Sequence, residues 1–179
     1  MEYILKTQRL GLRNWEMADL EAAVEMNSDP EVMRFFPKTH DREASIGMIE
    51  KFQKHFDARG FTYFAVDELE GEKALGFVGL FYQEYEAPFT PCVDIGWRLR
   101  KQFWGKGYAP EAAQACLAFA FSKLDLQVVV ATTPSINLPS RRVMEKIGMV
   151  YQGEYLHPKV PNPHSLQPSV WYKIEKERQ

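Results

Sequence analysis

The 179-residue chain has no apolar run approaching the ~18 residues that a membrane-spanning helix needs. It is also poor in cysteine. Cys92 and Cys116 are the only two, far apart and in no metal-binding or redox spacing. That excludes a zinc ribbon or a thiol–disulfide motif and fits buried, reduced thiols. Neither sign of charge dominates: 22 basic against 24 acidic residues leave −2, so composition gives no footprint for nucleic acid. The first residues, Met1-Glu2-Tyr3-Ile4-Leu5-Lys6, lack the pattern of a signal peptide. A cytoplasmic protein is therefore expected, with no metal, no nucleic acid and no membrane among its partners. Repeats, low-complexity tracts and linkers are absent too. With 45% hydrophobic residues, the length suits one full core and a single domain over residues 1–179.

What is present is concentrated in residues 93–122. Val93, Ile95, Trp97 and Leu99 alternate with Asp94, Gly96 and Arg98, which is strand periodicity. From Ala109 to Ser122 the chain is rich in alanine, with Leu117 and Phe121 at helical spacing. Between them lies Gln102-Phe103-Trp104-Gly105-Lys106-Gly107-Tyr108. A glycine turn that opens a helix leaves backbone N–H groups unpaired and pointing one way. With the positive end of the helix dipole, they make a site for a pyrophosphate. Gly105 and Gly107, lacking a Cβ, let phosphate approach closely.

The remaining pattern reads as a mixed sheet with helices on both faces. Strands are expected at 9–14, 61–66, 75–82, 93–99, 127–132, 150–156 and 170–176, about seven in all. Helices are expected at 19–26, at 29–36 behind an Asp29 cap and Pro30, at 42–58 ending before Gly60, and at 109–122 and 138–146. The polar stretch 67–73 should be a hairpin, and residues 157–168, with four prolines, irregular. That segment either lines a site or is a plain surface loop.

Three stretches together resemble the GNAT N-acetyltransferases. The glycine turn is similar to the family's acetyl-CoA signature, Gln/Arg-x-x-Gly-x-Gly/Ala. Asn137-Leu138-Pro139-Ser140-Arg141-Arg142-Val143-Met144-Glu145-Lys146-Ile147-Gly148 resembles its second signature, and Thr7 to Arg13 resembles the opening strand of the subgroup that includes the ribosomal-protein N-terminal acetyltransferases. The resemblance implies an α/β GNAT fold with a mostly antiparallel central sheet. It also implies an enzyme that transfers an acetyl group from acetyl-CoA directly to a primary amine. The acceptor is then a protein or peptide N-terminus, or a small molecule such as a polyamine, amino acid or antibiotic. A non-catalytic acyl-CoA sensor is the other class, and the chain is a monomer or a homodimer.

Acetyl transfer needs a neutral amine, a polarised thioester carbonyl and a proton for the departing thiolate. The backbone from Phe103 to Ala109 is the expected pyrophosphate cradle, and by resemblance the backbone of Trp97, Arg98 and Leu99 pairs with pantetheine. Gln102, Lys106, Asn137 and Ser140 complete the expected cofactor set. Asn137 also suits a helix cap. Many family members carry a tyrosine where this chain has Met144, which has no proton to give. Either Ser140 donates, as the matching serine is thought to do in the ribosomal-protein subgroup, or water does. Asp94 and Glu84 are the candidate bases. His157 and His164 titrate in a useful range, Tyr82, Tyr85 and Tyr155 are candidates for the acceptor pocket, and Arg98, Arg100, Lys101 and Lys106 form a basic cluster. Residues 34–41, 82–91 and 157–168 should decide the acceptor.

Overall fold

Alternation along the strands decides where the helices dock. In a computed structural model that describes residues 2–177, Leu12, Phe64, Val66, Val78, Leu80 and Ile95 face one way. There they form a core with the helical residues Ala112, Ala113, Cys116 and Leu117. The intervening Ala65, Phe77 and Phe81 face the other way, against Ala23, Met26, Ile49 and Phe52. Among the described residues four α-helices therefore cover both faces: α1 (Leu20–Ser28) and α2 (Arg42–Arg59) on one, α3 (Tyr108–Ser122) and α4 (Leu138–Lys146) on the other.

The strands among the described residues are β1 (Leu5–Lys6), β2 (Leu10–Arg13), β3 (Tyr63–Glu68), β4 (Gly76–Gln83), β5 (Cys92–Leu99), β6 (Val128–Pro134), β7 (Val150–Leu156) and β8 (Pro168–Glu175). They form one sheet in the order β1-β2-β3-β4-β5-β6-β8-β7. All pairs are antiparallel except β5 with β6. The count is eight rather than seven because β1 is two residues long, too short to show any periodicity. The edge strand β7 exposes Val150, Tyr151 and Leu156.

Expected helices form where local signals and packing agree. Asp41 accepts from the Ala44 amide at the start of α2, and Gly60 ends it at φ +74°. The expected helix over 29–36 does not form. Asp29 does cap the Glu31 amide, and one helical bond runs from Met33 N–H to the Asp29 carbonyl, but the chain then turns through Phe36. Between Pro30 and Pro37 there is too little chain to repay nucleation. Burial of Val32 and Met33 holds it instead.

One buried charge cluster pins the first strand. Arg13 donates to both oxygens of Asp19 (2.7 and 2.8 Å) and both of Asp67 (2.9 and 3.1 Å), with all three side chains buried. The Ala74 amide adds a further bond to Asp67. Full pairing is what lets these charges leave water.

Candidate active site

The parallel pair is where the sheet opens. β5 and β6 share a single bridge, Asp94 opposite Val130, among the described residues. Beyond it the strands part, and a cavity of about 790 Å³ lies between their C-terminal ends. Ile95 to Leu99 line one wall and Thr132 to Pro134 the other. The glycine turn before α3 and the first turn of α4 close the mouth. Of the irregular segments expected to shape the site, residues 34–37 contribute Arg34, Phe35, Phe36 and Pro37. The segment 157–168 contributes His157, Lys159, Val160 and Leu166, so it is more than a plain surface loop. No residue of 82–91 lines the cavity.

Gly105 and Gly107 adopt φ of +74° and +79°, a left-handed conformation in which any other L-residue costs about 1–2 kcal/mol. A Cβ on Gly105 would meet nothing within 4 Å, and one on Gly107 only Arg9 Nη2 at 3.6 Å. Backbone geometry, not crowding, therefore selects glycine. The N–H groups from Gly105 to Ala109 have no hydrogen-bond partner among the described residues. They stand at the positive end of the 15-residue α3. This arrangement fits a pyrophosphate. On α4, Arg142 and Lys146 lie one turn apart at the same cavity, exposed and without a carboxylate partner among the described residues.

The second signature enters the cavity from α4. Asn137 caps that helix by accepting from the Ser140 amide (3.3 Å), and its own amide donates to Thr133 Oγ1 (2.9 Å). Ser140 is partly buried on the cavity wall, and its hydroxyl has no partner among the described residues. Met144, one turn on, is 1% exposed and packs into the core while touching the cavity.

Asp94 lies on the opposite face of β5 from Ile95 and Trp97, as alternation predicts. It is buried, accepts from the Tyr63 hydroxyl (2.6 Å) and from Gln83 Nε2 (3.1 Å), and lines the cavity. Burial pushes its carboxyl up to about 6, against the pull of those two hydrogen bonds and of Lys51 and Lys159. A carboxylate near 6 is suited to accept a proton at neutral pH. Gly96 lets this arrangement form: a Cβ there would stand 3.0 Å from the Tyr63 ring.

Other expected site residues fall elsewhere. Trp97, Leu99, Phe103, Trp104, Tyr108 and Ala109 line the cavity, but Gln102 and Lys106 are exposed and do not. Tyr108 donates its hydroxyl to Glu68 (2.5 Å), and Lys106 sits over the Phe103 and Tyr108 rings. Glu84 is outside the cavity lining. The basic cluster is dispersed: Arg98 and Arg100 turn to α1, where Arg100 pairs with Glu25 (2.7 Å), and Lys101 pairs with Glu31 (2.5 Å). Tyr82, Tyr85 and Tyr155 do not line the cavity. Tyr85, Phe89, Tyr155, His157 and Trp171 form an aromatic cluster beside it. In their place Tyr63, Phe77, Phe35 and Phe36 face the cavity. His157 Nδ1 accepts from the Lys159 amide (3.2 Å), which leaves the proton on Nε2. Burial, and then Lys159, hold its pKa down, so the ring is a neutral donor rather than a base. His164 Nδ1 is likewise engaged by the Leu166 amide.

Sequence reasoning missed Tyr63 and Gln83, because each meets Asp94 only across the sheet. It also missed Arg142 and Lys146, although their spacing of four in a predicted helix was a usable signal.

The family model for the acetyltransferase (GNAT) domain matches residues 9–150. An uncharacterised N-acetyltransferase of Bacillus subtilis, YnaD, is 32% identical over 173 residues, 97% of each chain. A crystal structure of a GNAT-family acetyltransferase from Bacillus anthracis superposes with a TM-score of 0.79 at 30% identity, covering 96% of this chain and 97% of that one. At 20% identity, the spermidine N-acetyltransferase of Vibrio cholerae, solved with CoA and spermine, shares the fold at a TM-score of 0.74 over 94% and 96% of the two chains. With its glycine cradle, the opening between β5 and β6, and these matches over nearly its whole length, the chain belongs to the GNAT acetyltransferase family.

Proposed function

We propose that this enzyme uses acetyl-CoA as its donor and acetylates a primary amine directly. The observation that carries the reading is the row of amides at Gly105–Ala109, without partners among the described residues, set at the mouth of a cavity whose wall holds the buried Asp94. Acetyl-CoA, when bound, supplies the acetyl group as a thioester. The amides would hold its pyrophosphate, and Arg142 and Lys146 would take a remaining phosphate. Backbone of Trp97 to Leu99 would pair with the pantetheine arm and polarise the carbonyl. Asp94 takes the proton that the amine must lose, directly or through water. Ser140, whose hydroxyl has no partner among the described residues, gives a proton to the thiolate and regains one from water, in place of the tyrosine that Met144 replaces.

For the acceptor, the resemblance of Thr7–Arg13 to the ribosomal-protein subgroup favours a peptide or protein α-amine. The second reading is a small polyamine, favoured by the fold shared with the spermine-bound Vibrio cholerae structure. Thiol release from acetyl-CoA, measured against N-terminal peptides, polyamines, amino acids and aminoglycosides, tests the proposal. Acceptor-dependent release is the expected result. Binding of acetyl-CoA with release never above the acceptor-free rate would leave a sensor module instead.

A further inference from the structure

Among the arginines drawn into the fold, Arg98 stands apart. Arg13 and Arg100 are each matched to carboxylates. Arg98 is partly buried and lines the cavity, yet has no acidic partner among the described residues. Its Nη1 donates to Asn27 Oδ1 (2.8 Å), and its guanidinium lies 3.9 Å from the centre of the Phe36 ring. Among the described residues its Nε is buried without a partner, whereas Nη2, equally without one, is not sealed off. A desolvated guanidinium packed against an aromatic ring, with donors to spare, is a receptor for a planar anion.

The position of Arg98 says which anion. Asp94, Gly96 and Arg98 follow one another along one face of β5, opposite the face that carries Ile95, Trp97 and Leu99. Tyr63 and Phe77, stacked at 5.1 Å, bridge the distance between the two charged ends. The amides of the glycine turn and the cations of α4 are separate groups, so phosphates of the donor do not account for Arg98. Arg34, also at the cavity and without a carboxylate partner among the described residues, adds positive charge to the lining. Of the acids at the cavity, Glu31 is already paired with Lys101, which leaves Asp94. A polyamine would bring further cations to this face with one carboxylate to receive them, an arrangement that repels rather than selects.

We infer that the acceptor is a primary amine that also carries a carboxylate, with the amine toward Asp94 and the carboxylate on Arg98. This rests on the acetyl-transfer reading and narrows it. The Arg98 guanidinium lies 5.3 Å from the centre of the Phe77 ring, Phe77 stacks on Tyr63 at 5.1 Å, and the Tyr63 hydroxyl meets Asp94 at 2.6 Å, so the stacked pair of rings stands between the two ends. An acceptor that touches both ends must reach across that pair of rings, which a dipeptide does and a single α-amino acid, with amine and carboxylate only about 2.5 Å apart, does not.

The test compares glycylglycine, glycylglycinamide, glycine and spermidine as acceptors, with the wild-type enzyme, Arg98→Met and Arg98→Lys. Wild type should favour glycylglycine over its amide by about ten- to a hundredfold in kcat/KM, the worth of a hydrogen-bonded charge. Arg98→Met should collapse that ratio towards one, and Arg98→Lys should retain part of it. A thermal melt and a circular-dichroism spectrum matching the wild type report that each variant is folded. A preference for the amide or for spermidine, or an Arg98→Met variant that keeps the wild-type ratio, overturns the inference. Should no amine drive thiol release, the acetyl-transfer reading fails by itself. The anion site is then decided by calorimetric titration of glycylglycine and its amide into the CoA-saturated protein. Tighter binding of the carboxylate that is lost in Arg98→Met upholds the site, and equal binding sinks it.

Discussion

Replacing Asp94 with asparagine should make the protein more stable and less active. An ordinary aspartate ionises near 3.8, whereas burial beside β5 raises Asp94 to about 6. Carrying the charge at pH 8 therefore costs the folded state on the order of 3 kcal/mol relative to the unfolded chain. The sign follows from proton counting. Between pH 4 and pH 6 the folded chain keeps a proton that the unfolded chain has released. Wild-type stability from this group is fully present below pH 4 and is lost as pH rises through 6. An asparagine side chain in its place is neutral throughout, so Asp94→Asn escapes the loss. From pH 5 to pH 8 the wild type should lose about 1.4 kcal/mol relative to the variant. The full gain at pH 8 is an upper bound, because the new amide must find an acceptor near Tyr63 and Gln83. Urea unfolding at both pH values measures the difference. In parallel, kcat/KM for the wild type should rise with pH through about 6, and the variant should lose this limb along with about 10²–10⁴ in rate. Stability curves that run parallel between pH 5 and pH 8 would refute the raised carboxyl, and with it the reason to assign the base to Asp94.

Ser140→Ala should lower kcat about a hundredfold with the KM for acetyl-CoA held within about twofold; an unchanged kcat would assign the thiolate's proton to water. Gly107→Ala must hold alanine at φ +79°, so a thermal melt should show about 1–2 kcal/mol of destabilisation, with a raised KM for acetyl-CoA. Gly47→Ala is the contrasting case, because Gly47 lies inside α2 with nothing within 4 Å of its missing Cβ; it should stabilise by about 1 kcal/mol in the same melt. Arg13→Leu strands Asp19 and Asp67 in the core and should cost about 3–5 kcal/mol in chemical denaturation.

Elements with their own local signals are legible in the sequence. The Asp41 cap and the Gly60 stop bracket α2, and the glycine turn announces α3, because capping and left-handed backbone depend on neighbours a few residues away. The segment 29–36 carries equally good local marks and still forms no helix. Its conformation is set by where Val32 and Met33 are buried, which no window of sequence contains. The candidate site divides along the same line. Gly105, Gly107, Asn137 and Ser140 lie in short motifs whose chemistry is local. Glu84 and Asp94 are both acids on or beside strands, and only the packing of the sheet separates them: Asp94 is buried at the cavity and Glu84 stands outside its lining.

By itself, then, the sequence determined the candidate anion cradle: a strand, a glycine turn and a helix dipole within about ten residues of one another. Tertiary structure alone decided the surroundings of Asp94 and Arg98. Tyr63 reaches Asp94 across 31 residues of chain, and Asn27 reaches Arg98 across 71. Burial, which raises one carboxyl and leaves one guanidinium without a carboxylate partner among the described residues, is a property of the packed sheet and not of any segment in it.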